Sequence, residues 1–190
     1  MSVGVAGRGD GHAISATPGS TSSPALPATD PQVAGERVPR GVRAPVRLAI
    51  PAIGVSTPLV GLGLEEDRTV EVPEDADRAG WFELGPPPGV TGSSVILGHV
   101  DSAAGPAVFA RLEDLERGDV VEVGRADGSE VAFEVLRLEL YPNAEFPAQR
   151  VYAASGARRL NLVTCAGDYD AGRGGYQSNL VVYTRQVART

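Results

Sequence analysis

The sequence predicts an all-β fold, a barrel or sandwich of about eight short strands joined by turns. Three observations carry this expectation. From Val46 onward, short apolar or alternating runs recur between turn signals. Glycine and proline are abundant, at 24 and 15 of 190 residues, which favours a turn-rich β protein over a helical bundle. No run is long enough to supply the helical crossovers of a doubly wound α/β fold. A chain of this length is one domain by size, here expected at residues 46–190 behind an amino-terminal tail.

That tail, residues 1–45, is predicted to be a linker. Gly, Pro, Ser, Thr and Ala make up 28 of its 45 residues and it has no aromatic side chain, so it cannot bury enough apolar surface to offset the entropy of ordering. His12 lies in it without a scaffold. VRLAIPAIGVSTPLV then alternates Leu48, Ile50, Ile53 and Val55 around Pro51 and predicts a strand broken at that proline. Thr69–Val72 predicts a second short strand. The surrounding acidic residues Glu65, Glu66, Asp67, Glu74, Asp75 and Asp77 read as a solvated face, since they lack the spacing of a calcium loop. Trp81 and Phe82 read as core. Val95–Val100 is an apolar run ending on His99 and followed by Asp101. Phe109, Leu112 and Leu115 have helical spacing, with Gly118 as the stop. Asp119–Val123 and Val131–Leu138 alternate around ADGS and predict a hairpin. YPNAEFPAQR reads as a loop, Leu160–Thr164 as a central strand, Ala166–Ser178 as a long loop and Asn179–Thr184 as the last strand.

Composition excludes several functions. A net charge of −7 argues against nucleic acid, which needs a basic face. All 17 basic residues are arginine, so no lysine is present for a Schiff base or a P-loop. No window reaches the roughly 18 apolar residues of a membrane helix. The start of the chain has no apolar segment of the kind a signal peptide carries; any membrane attachment is expected to come from a segment not in this chain.

The chemistry centres on RLNLVTCAGDYD, where an apolar strand ends on Cys165, the only cysteine. The only histidine outside the tail, His99, ends the run SVILGHVD. An imidazole within reach can take or return the proton of a thiol, whose anion is the nucleophile. A third group must stabilise the developing oxyanion; Arg173 and the backbone N–H groups near Ala166 and Gly167 are the candidates. Spacing alone leaves open that Cys165 is an inert core residue and His99 a structural one. One Cys and one His are too few soft ligands for zinc, and no cofactor is called for.

Four stretches, taken together and in order, resemble the sortase family of cysteine transpeptidases: RLAIPAIGV, VILGHVD with FARLEDLERGDVVEV, LVTCAGDYD, and GGYQSNLVVYT. They span roughly residues 46–184. The form TCAGDYD…GGYQSNLVVY is most similar to the class F sortases of actinobacteria. The resemblance implies an eight-stranded β-barrel with one or two short helices, Cys165 as nucleophile, His99 as general acid and base, and an arginine at the oxyanion. It implies an LPxTG-like sorting signal near the carboxyl end of a secreted protein as substrate. It implies a thioester intermediate and an amine acceptor such as a peptidoglycan precursor. It places the enzyme at the extracellular face of the cell membrane, and a monomer is expected. The position on the last strand where many sortases carry the arginine reads Tyr176-Gln177-Ser178-Asn179. The role is therefore assigned to Arg173, with Arg185 second and Gln177 as a partial substitute. Thr164, Asp101 and Gln177 are expected to line the substrate groove. The rival readings are a cysteine hydrolase on the same scaffold and an inactive peptide-binding barrel.

Overall fold

Strands buried on both faces read as continuous apolar runs, and two such runs form the middle of this fold. In a computed structural model describing residues 44–188, they are β4 (Gly92–Gly98) and β9 (Arg158–Asp170), paired in parallel with Ile96 opposite Leu162 and Leu97 opposite Val163. The expected linker and His12 fall outside the described residues, apart from Ala44 and Pro45. The other barrel strands are β1 (Pro45–Ile50), β2 (Val55–Leu62), β3 (Ala79–Phe82), β7 (Val120–Arg125), β8 (Glu130–Pro142) and β10 (Gly175–Val187). They close in the order β1-β2-β3-β4-β9-β10-β8-β7, giving the expected eight-stranded barrel. A small ribbon, β5 (Asp101–Ser102) with β6 (Gly105–Pro106), stands outside it, and one short helix, α1 (Ala148–Val151), lies between β8 and β9.

Side-chain alternation along β4 and β9 divides the apolar residues between two cores. Ile96, Leu160, Leu162 and Val182 join Phe133, Leu48 and Trp81 in one cluster. Val95, Leu97, Val163, Val181 and Tyr183 face the other way and pack with Phe82, Val70, Val151 and Tyr152. The second cluster is roofed by the segments before β3 and around α1. Helix α1 is pinned there by Arg150, whose guanidinium bonds Glu139 at 2.8 Å and lies over the Tyr183 ring at 4.8 Å, with Arg137 over the same ring at 4.1 Å. Replacing fully buried Phe133 by Ala removes a large side chain from the first cluster. It is expected to cost about 3–5 kcal/mol, read as a melting temperature lower by on the order of 10 °C.

The chain breaks at Pro51 as expected: Pro51–Ile53 form a single 3-10 turn, and Gly54, at φ +73°, turns the chain back into β2. Four expectations are corrected. Thr69–Val72 is not a strand; only Leu64 and Val70 bridge there. Phe109–Leu115 is not an α-helix but a loop with a 3-10 turn at Leu112–Asp114, its apolar spacing satisfied by burying Phe109, Leu112 and Leu115 in the first core. YPNAEFPAQR is not all loop, since β8 runs on to Pro142 and α1 follows. Ala166–Ser178 is mostly strand, because β9 and β10 extend as a hairpin to Asp170 and Gly175. Its polar sequence hid this: β9 becomes exposed from Gly167 to Asp170, while β10 is only partly buried at Tyr176–Ser178.

Candidate active site

The parallel pairing of β4 and β9 decides where His99 and Cys165 sit. One step beyond Leu97 and Val163, Thr164 Oγ1 donates to the Gly98 carbonyl at 2.9 Å, tying the strands at the next position. His99 follows Gly98 and Cys165 follows Thr164, so each is the next residue along its chain just past the end of the parallel ladder. Both are half-buried, at the point where β9 passes from buried to exposed. Gly98 is required before His99 because a Cβ there would come within 2.7 Å of the Phe109 ring. The Phe109 N–H donates to the His99 carbonyl at 2.9 Å, fixing the histidine backbone over the buried ring.

The His99 ring is held by the backbone just before β3. Its Nε2 lies 2.7 Å from the Pro73 carbonyl oxygen. A carbonyl only accepts, so Nε2 carries the proton and a neutral ring has its lone pair on Nδ1. Pro73 also forms part of the wall of a cleft of about 490 Å³ whose charged lining is Glu65, Glu71, Glu74, Asp75 and Arg78. Three of the six acidic residues noted in the sequence, Glu65, Glu74 and Asp75, therefore border the depression that includes Pro73. Among the described residues no group of three or more His, Cys, Asp or Glu side chains is arranged to hold a metal.

Cys165 borders a smaller cavity of about 170 Å³ together with Thr164, Ala166, Gly167, Tyr176 and Glu113. Burial first, and then the charge of Asp101, push its thiol up to about 11. Asp101 is held in turn by Tyr176, whose hydroxyl donates to Oδ2 at 2.6 Å; that bond, then burial, push the phenol up to about 12. The resting site therefore holds a neutral thiol. Because the thiolate is the reactive form, alkylation of Cys165 by iodoacetamide is expected to be slow at pH 7 and to rise about tenfold per pH unit toward pH 11. Asp101→Asn should shift that rise to lower pH. A rate that levels off near pH 8 would contradict this arrangement.

The arginine expectation is the part that the geometry does not support. Arg173 ends the 3-10 turn at the tip of the β9–β10 hairpin and is exposed. Cys165 pairs with Asn179, and the hairpin pairs out to Asp170 and Gly175, so the tip is five residues further along, about 16 Å of strand. Arg185 lies six residues beyond Asn179 in the opposite direction and is paired with Glu134 at 3.1 Å. Neither residue pairs with the Cys165 position in the sheet. The residue directly across from Cys165 is Asn179, which is 2% exposed. Its Nδ2 donates to Asn143 Oδ1 at 2.9 Å, and Asn143 Nδ2 donates to the Tyr176 carbonyl at 2.7 Å. That second bond fixes the orientation of both amides and leaves Asn179 Oδ1 a buried acceptor without a partner. Gln177 is half-buried two residues along β10, its Nε2 donating to the Gly175 carbonyl at 2.6 Å. Beside it β9 bulges: Gly167, at φ +78°, is an extra residue that needs the left-handed conformation.

Sequence reasoning missed Asn179, Tyr176 and the Pro73 carbonyl. Counting alternation back from LVVYT would have placed Gln177 and Asn179 on one face. No sequence signal marks a backbone carbonyl.

Comparison with known proteins bears on the fold and the family. A search of curated proteins finds no match. Among solved structures, the chain is similar to sortase C1 of Group B Streptococcus pilus island 1, with 17% identity and a TM-score of 0.57 over 76% of this chain and 66% of that one. It is similar to sortase C2 of the same island, with 20% identity and a TM-score of 0.58 over 75% and 73%. It is also similar to sortase A from Corynebacterium diphtheriae, with 19% identity and a TM-score of 0.60 over 78% and 63%. The chain thus spans about two thirds of the length of these structures, and at such identities they show the shared fold. A family profile described as the sortase domain matches residues 48–187, from the first barrel strand to the last. By that match, which takes in both His99 and Cys165, the chain belongs to the sortase family of cysteine transpeptidases.

Proposed function

We propose that this protein is a sortase-type cysteine transpeptidase that cleaves an LPxTG-like sorting signal through a thioester on Cys165 and passes the acyl group to an amine of the cell wall. The observation that supports the reading is the parallel pairing of β4 with β9, since His99 and Cys165 each follow the end of one of the two paired segments. In the proposed cycle Cys165 attacks the scissile carbonyl as His99 Nδ1 takes its proton, and that proton goes on to the leaving amine. His99 protonates the departing amine and later accepts a proton from the incoming one. The Nε2 bond to the Pro73 carbonyl holds the ring while Nδ1 carries the proton, and the Thr164–Gly98 bond keeps the two strands in register. The oxyanion is assigned to backbone N–H groups near Ala166 and Gly167, with Gln177 and Asn179 as neutral amides near the position where an arginine was expected.

The class F assignment, the actinobacterial source and the cell-surface location rest on the TCAGDYD…GGYQSNLVVY form, and belong to the proposal. The test is mass spectrometry of the protein mixed with sorting-signal peptides, with and without an amine. A mass increase on Cys165 equal to the acyl fragment, discharged as an amide when amine is present, is the expected result. Discharge only to the free acid would favour the hydrolase reading. An unmodified Cys165 with every peptide of the set would overturn the assignment.

A further inference from the structure

We propose that Asp101, held by the Tyr176 hydroxyl, is the recognition element for the acceptor, taking a primary ammonium at the cavity beside Cys165. The inference rests on the transpeptidase reading above and assigns the second half of its reaction.

Two observations place the element. Tyr176 lines the same cavity as Cys165, and its hydroxyl grips Asp101 at 2.6 Å across 75 residues of sequence. The cavity wall also carries Glu113 and includes no basic side chain. At about 170 Å³ the space holds the volume of five or six water molecules, enough for an aminoalkyl end but not for a folded peptide.

The chemistry of the two half-reactions gives this charge its sense. A carboxylate beside a thiol that must ionise opposes acylation, adding to the larger effect of burial on that thiol. Once the thioester has formed, no sulfur charge remains to be opposed. The partner that then arrives is an amine, protonated at neutral pH, and a carboxylate concentrates it at the carbonyl carbon. The ammonium gives one proton to His99 or to water, and the free amine forms the C–N bond as the C–S bond breaks. The second nitrogen proton returns to the departing sulfur. The sum is thioester plus ammonium giving amide, thiol and one released proton.

The test uses competition within one tube, so that differences in acylation cancel. Wild type, Asp101→Asn, Asp101→Glu and Tyr176→Phe are acylated with the sorting peptide. Each is then offered propylamine, a cation at pH 7, together with hydroxylamine, which is uncharged there. The ratio of propylamide to hydroxamate is read by mass spectrometry. Asp101→Asn should lower it on the order of fivefold, the effect of one partly exposed charge pair. Tyr176→Phe should lower it less, and Asp101→Glu should restore part of it. An unchanged or rising ratio in Asp101→Asn, with hydroxamate still produced, overturns the inference and leaves the transpeptidase reading standing. Absence of any hydroxamate from wild type overturns both.

Discussion

Cys165→Ala is expected to abolish both cleavage and transfer, lowering turnover on the order of 10⁴-fold or more, as when the nucleophile of a covalent mechanism is removed. The variant should still fold, because the cysteine is only half-buried and sits where β9 leaves the core. Its melting curve should move by less than about 1 kcal/mol equivalent. The measurement is peptide cleavage followed by chromatography, with circular dichroism as the control for folding. Cleavage within tenfold of wild type would show that the thiol is a bystander and would overturn its assignment as nucleophile.

His99→Ala is expected to have the next largest effect, a fall of about 10²–10⁴-fold in kcat. Its signature should differ from that of the cysteine variant. The thiol remains, so iodoacetamide should still label Cys165, while sorting peptides no longer turn over. Because Nε2 also ties the ring to the Pro73 carbonyl, the variant frees the backbone before β3 as well as losing the proton carrier. His99→Gln separates the two: its side-chain amide can donate to Pro73 yet cannot shuttle a proton at neutral pH. Equal loss in both variants assigns the effect to proton transfer. Recovery of activity in His99→Gln would make the histidine a structural tie.

The barrel was legible because the apolar runs of β4 and β9 are continuous, a pattern imposed by burial on both faces. Cys165 and His99 were legible because each ends such a run, although only their order among the four family-like stretches lifted them above inert residues. The exposed half of the β9–β10 hairpin was not legible: Tyr169 and Asp170 pair with Tyr176 and Gly175, and the polar sequence there reads like a loop. The position of Arg173 was hard to read for a related reason. Counting residues after Cys165 gives Arg173 a short separation, but an antiparallel hairpin converts those residues into distance along the strands. What ends up across from the thiol is Asn179, from the returning strand. Asp101 was noted beside His99, yet its partner Tyr176 lies 75 residues away and only the closed barrel brings the two together.

The parallel junction of β4 with β9 has a kinetic consequence. Its ties, such as Thr164 to Gly98, join residues 66 apart, and no tight turn can template them. Closing so long a loop is entropically costly and slow compared with zipping the β7–β8 or β9–β10 hairpins. The two halves of the chain can therefore acquire most of their strand content before the thiol has an imidazole neighbour. Catalytic competence then reports the last stitching of the barrel, and in refolding it should return after the bulk of the β signal, giving a newly made chain a latent period before it acquires acyl-transfer chemistry.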